Sequence, residues 1–123
     1  MSALTESSAW KALSAHQRTI AGHHLRDWFA ADPTRGTRFT LEAAGLWVDF
    51  SKHRIDDQAL TLLHALAAQQ KVARWRDRMF DGEPINSAER RAALHTALRR
   101  SPARPLLLGA HDVMPDVAAV LAR

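Results

Sequence analysis

Asp56-Asp-Gln-Ala-Leu-Thr-Leu-Leu-His-Ala-Leu-Ala-Ala-Gln-Gln70, running directly into Lys71-Val-Ala-Arg-Trp-Arg-Asp-Arg-Met-Phe80, decides the fold class. Leu60, Leu63 and Ala67 share one line of a helix and Leu62 and Leu66 the next, so residues 57–70 carry an apolar stripe wide enough to bury much of the helix. Asp56 stands at the N-cap and Asp57 in the first turn, where an acceptor and a negative charge both help. Val72, Trp75, Met79 and Phe80 then repeat at three and four over residues 71–81, which predicts that Trp75 lies in the core. Lys71, Arg74 and Arg78 fall on the opposite, solvated face, and Gly82 suits a left-handed C-terminal cap. Two successive helices of this kind predict a mainly α chain.

Toward the N-terminus, Ser7 and Ser8 precede Trp10, Leu13 and Ile20 at near-helical intervals, which predicts a seryl-capped helix over residues 8–22. A short helix over 24–31 carries Leu25, Trp28 and Phe29 and stops before Asp32-Pro33, because proline pushes the preceding residue out of the helical region. Residues 34–37 read as a loop. Phe39 and Leu41, then Leu46, Val48 and Phe50, flank Ala43-Ala-Gly45, the pattern of a β-hairpin over 38–50 and the one clear β signal.

Toward the C-terminus, Asn86 with Glu89 three residues on has the form of a capping box, predicting a helix over 87–100 that ends at Ser101-Pro102. Leu106 to Leu108 fits a brief buried parallel strand, and Pro115 at a first helical position opens a helix over 115–123 with Val117, Val120 and Leu121 facing inward. Leu121-Ala-Arg123 has neither a glycine cap nor a polar tail and reads as an interruption rather than an end. No internal repeat divides the chain, so residues 1–123 are expected to form a single unit.

With 123 residues, 46% hydrophobic and 24% charged, the chain has apolar material for one domain-sized core, which excludes a disordered tail and a multidomain machine. The absence of cysteine excludes disulfides, thiolate zinc sites and cysteine nucleophiles. Arg outnumbers Lys 14 to 3 and the net charge is only +4, an excess too small to argue for a nucleic-acid partner. No apolar stretch is long enough to span a bilayer, and the opening residues lack the pattern of a secretory leader, so a cytoplasmic location is expected.

Seven histidines invite a metal or acid–base reading, but spacing argues against it. His16 and His23 are seven apart, His23 and His24 point to different faces, and no carboxylate completes a ligand set, although Asp27 can pair locally with either of the last two. The sharpest polar cluster is Arg91 and His95, which share a stripe with Leu94 and Leu98 on the expected 87–100 helix. Hydrogen bonding to neighbouring backbone, locking that helix in place, is the favoured role for both. No phosphate loop, nucleophile elbow or pair of carboxylates stands out, so no catalytic, cofactor-binding or metal-binding residue is assigned.

The blocks Asp49-Phe-Ser-Lys-His-Arg-Ile55, Met79-Phe-Asp-Gly-Glu-Pro-Ile-Asn86 and Glu89-Arg-Arg-Ala-Ala-Leu-His-Thr-Ala-Leu-Arg99, taken in order, resemble the N-terminal section of the glucose-6-phosphate isomerase family. So do the opening around Trp10 to Leu13, the Asp27-Trp-Phe-Ala-Ala-Asp-Pro33 segment, the hairpin and His111-Asp-Val-Met-Pro-Asp-Val117. The resemblance implies the N-terminal helical portion of a larger α/β subunit of a homodimeric, cofactor-free, cytoplasmic enzyme of glycolysis and gluconeogenesis. That enzyme interconverts glucose 6-phosphate and fructose 6-phosphate. Family members are several times longer, and their phosphate loops, glutamate base, ring-opening histidine and lysine match no residue here; His95 is not the ring-opening histidine. The resemblance therefore implies a supporting piece, inactive alone and prone to self-association, with no nucleic-acid or membrane partner. A free-standing basic helical module that binds RNA or a protein through the Lys71 to Arg78 face is the alternative.

Overall fold

The computed structural model describes residues 4–123. Residues 1–3, part of the stretch expected to lack a leader, lie outside the described residues. The chain is mainly helical with a short antiparallel hairpin, as its patterning predicts. It divides into two compact units, Met1–Gln70 and Lys71–Arg123, where a single unit was expected. Lys71 itself has a left-handed backbone, φ 56°, which ends one helical period before the next begins.

The first unit opens with a 3-10 turn, Leu4–Glu6, and helix α1, Ser8–Ile20, whose N-cap Ser7 accepts from the Trp10 amide. α2, Leu25–Ala31, is capped by His24, whose Nδ1 accepts from the Arg26 amide at 3.1 Å. Arg35–Arg38, expected as a loop, forms a single helical turn, α3. β1, Thr40–Ala43, pairs antiparallel with β2, Leu46–Asp49, in the register Thr40 to Asp49 through Ala43 to Leu46. Ala44 and Gly45 close this two-residue turn with φ of 52° and 75°, the left-handed pair that matches strand twist. α4, Asp57–Gln69, packs on α1, and its cap Asp56 accepts from the Ala59 amide at 2.7 Å.

α4 is less covered than its broad stripe predicts. Ala59 is buried, while Leu60, Leu62 and Leu66 are half-buried and Leu63 is exposed. One helix, α1, covers one side of it, and a stripe wider than a single partner helix can cover stays partly wet. The hairpin is more open still: Leu46 is 65% and Trp47 73% exposed.

What holds this unit is Arg35, 3% exposed, whose guanidinium is enclosed by backbone and aromatic faces. Nε donates to the Ser51 carbonyl at 2.8 Å, and Nη2 donates to the carbonyls of His53 at 3.0 Å and Ile55 at 2.8 Å. The same group lies 4.4 Å from the ring centre of Phe39 and 4.9 Å from that of Trp28. Phe39, 1% exposed, meets Phe50 edge to face at 5.7 Å across the base of the hairpin. Among the described residues no carboxylate hydrogen-bonds to Arg35; carbonyl dipoles and π faces accommodate its charge.

The second unit begins with α5, Val72–Phe80, and closes it with a Schellman turn: the Glu83 amide donates to Arg78 O at 3.0 Å and the Gly82 amide to Met79 O at 3.3 Å, with Gly82 at φ 76°. Beyond it come a 3-10 helix, Leu94–Arg99, a second small hairpin, and α6, Met114–Leu121. Ala97, Leu106, Val113 and Met114 form the buried core, with Leu94, Leu108 and Val117 packed against it.

Three expectations fail here for physical reasons. No helix spans 87–93. The Asn86 side chain does accept from the Glu89 amide at 3.1 Å, but Arg90 has φ 53°, and Asn86 and Arg91 pair as an isolated bridge. An Asx turn and a capping box begin with the same contact, and only the next residue's backbone separates them. Leu106 to Leu108 is not a parallel strand: β3, Leu107–Leu108, pairs antiparallel with β4, His111–Asp112, around Gly109 at φ 62°. α6 starts at Met114 and stops at Leu121, with Val120 and Leu121 each 63% exposed instead of inward.

Candidate functional site

The Arg91 and His95 stripe is dissolved by the 3-10 geometry of Leu94–Arg99. Three residues per turn bring Leu94, Ala97 and Arg100 to one face, where an α-helix would have aligned Arg91, His95 and Leu98. Ala97 is 2% exposed and Leu94 packs on the core, whereas His95 is exposed and Leu98 is 48% exposed. The Arg91 side chain pairs with Glu89 and locks no helix. The inward face instead carries Arg100, which no motif in the sequence marks. Its Nη1 donates to the Phe80 carbonyl at 2.8 Å, and its Nε is buried without a partner.

Arg100 lies in a half-open cleft of about 710 Å³ lined by Arg99, Arg104, His95, Thr96 and Ser101, with Asp81 as the one carboxylate among its lining residues. None of the three arginines forms a salt bridge among the described residues. The sequence signal for this cleft was the basic cluster Arg99-Arg-Ser-Pro-Ala-Arg104, which reads equally well as charge at a helix C-terminus.

The other candidates are placed separately. His16 donates from Nε2 to Asp56 Oδ1 at 2.8 Å, His111 pairs with Asp116 at 2.9 Å, and Trp28 Nε1 donates to His23 Nδ1 at 3.1 Å. Asp27 pairs with neither His23 nor His24. Among the described residues no three of His, Asp and Glu gather as a metal site, and no helix is long and apolar enough to cross a membrane. On α5, Trp75 is 42% exposed and not in the core, with the Arg78 guanidinium 4.5 Å over its ring. Arg76 pairs with Asp77 and Arg78 with Glu83, so the basic face is partly neutralised in place.

Four carboxyls are held below the ordinary aspartate range. Hydrogen bonds from Thr34 and then Arg38 do this for Asp32, those of Ser51 for Asp49, and the amides of Leu106 and Met114 for Asp112. Burial pushes Asp56 up, but the Ala59 amide and His16 together more than offset it. Each group therefore binds fewer protons folded than unfolded as pH falls past about 3.9, so stability is present above that value and lost below it. Urea midpoints are expected to stay level above pH 5 and to fall steadily below about pH 4; a flat profile through that range contradicts these assignments.

Comparison with known proteins places the chain. The phosphoglucose isomerase family profile matches residues 49–123. A glucose-6-phosphate isomerase of Deinococcus deserti is 54% identical over 121 residues, covering 98% of this chain and 22% of that relative. Those of Nitrosospira multiformis and Deinococcus radiodurans are 51% and 48% identical, over 98% and 100% of this chain and 22% and 23% of their own lengths. The chain thus spans less than a quarter of the curated relatives it matches. With the family profile matching more than half of its residues, the chain belongs to the phosphoglucose isomerase family.

Proposed function

We propose that these residues are the N-terminal portion of a larger glucose-6-phosphate isomerase subunit and that their part in interconverting glucose 6-phosphate and fructose 6-phosphate is support. The chemistry is then performed by groups the chain does not contain. The observation that carries this reading is end-to-end similarity, at about half identity, to relatives of which the chain spans about a fifth. Exposed Leu46 and Trp47 in the first unit, and Val120 and Leu121 in the second, support it, since apolar side chains left in water are what a buttress presents to the body it holds. The whole subunit is homodimeric, cytoplasmic and cofactor-free on this reading, and the isolated chain self-associates through these exposed apolar side chains.

A coupled assay for fructose 6-phosphate tests this directly. The chain alone is expected to give no turnover above background, and a Deinococcus deserti enzyme whose matching segment is replaced by this chain is expected to keep turnover. Robust turnover by the chain alone, or a folded but inactive chimera, overturns the reading.

A further inference from the structure

We infer that the cleft between the end of α5 and the 3-10 helix Leu94–Arg99 is an anion site for a phosphate-bearing small molecule. Arg99, Arg100 and Arg104 converge on it, none of them in a salt bridge among the described residues. Like charges lining one cleft repel one another, and a bound anion relieves that repulsion. The nearby Asp112 carboxylate is engaged by the amides of Leu106 and Met114 at 3.0 and 3.1 Å. Asp81 on the lining and Asp112, whose carboxylate feels the Arg100 charge, offset part of the three positive charges and leave the cleft net positive, the sign a phosphate monoester needs.

The donor set fits the same class. A planar guanidinium offers paired N–H groups to phosphate oxygens, and the hydroxyls of Thr96 and Ser101 supply further donors on the cleft wall. Arg100 is anchored through Nη1 to the Phe80 carbonyl, while its Nη2 has no partner among the described residues. A guanidinium fixed at one end and open at the other is preorganised for an incoming oxygen. The volume, about 710 Å³, admits a phosphorylated metabolite and not merely an ion. The site is independent of the isomerase reading, because it requires binding and no turnover.

The test is a titration of the chain with inorganic phosphate at constant ionic strength near neutral pH, followed by amide and arginine side-chain NMR signals. Saturable shifts centred on His95, Thr96 and Ser101 are expected. The double variant R99Q/R104Q replaces two side chains that make no hydrogen bond among the described residues and is expected to bind about tenfold or more weakly. The control R18Q/R74Q removes the same charge elsewhere and is expected to bind as the parent does. Shifts without saturation, or equal weakening in the control, mean general electrostatic attraction and overturn the inference. An undispersed parent spectrum overturns it too, since the cleft then has no walls. Should only the double variant lose dispersion, the single R104Q decides by the same criterion.

Discussion

Arg35→Ala is expected to lower the stability of the first unit by about 3–4 kcal/mol, enough to unfold a small unit of ordinary marginal stability. The substitution removes three hydrogen bonds from a charged donor and leaves the Ser51 carbonyl in the interior without a partner. It also opens a void between Phe39 and Trp28, which the guanidinium fills. Arg35→Lys keeps the charge but not the fork, since an ammonium cannot hold three carbonyls at the spacing the planar group spans, and it is expected to recover less than half of the loss. Urea unfolding followed by hydrogen exchange at the Phe39 and Phe50 amides measures this. A cost under about 1 kcal/mol for Arg35→Ala contradicts the role assigned to Arg35.

Gly82→Ala is expected to cost about 2–3 kcal/mol in the second unit. Two effects add. The left-handed φ of 76° penalises any side chain, and a Cβ there meets Leu106 Cδ1 at 3.1 Å, the Leu107 carbonyl at 3.3 Å and Leu108 Cδ2 at 3.3 Å. Leu106 is 2% exposed and central to the core, so it has little room to give. Gly109→Ala separates the two contributions: its φ of 62° imposes a similar backbone penalty, but a Cβ there meets nothing within 4 Å. It is expected to cost only about 1 kcal/mol. Equal losses at both positions in denaturant unfolding remove the packing argument.

What the sequence makes legible is local. Ser7 and Asp56 announce helices because a short polar side chain accepting an amide three residues on is a contact between near neighbours. Ala44-Gly45 likewise announces a turn through backbone preference alone. Arg35 is silent because its partners lie sixteen to twenty residues away and are backbone carbonyls, which carry no side-chain identity. The helix expected over 87–100 fails at one left-handed residue, Arg90, whose side chain gives no hint of it. The cleft around Arg100 was hidden by that failure: counting in steps of 3.6 placed His95 and Arg91 together, while the actual period of three turns Arg100 inward. The family resemblance was visible throughout, because it rests on blocks of residues in order and not on any one element's geometry.

β1 and β2 form a ribbon of four residues a side, and a two-stranded ribbon of that length does not hold itself together in water. Its persistence is therefore borrowed from one end, where Phe39 and Phe50 meet beneath the arginine cage. The ribbon is a cantilever: order is expected to decrease from the clamped root to the free tip at Ala44-Gly45, so that whatever loosens the clamp is felt most strongly at the far end.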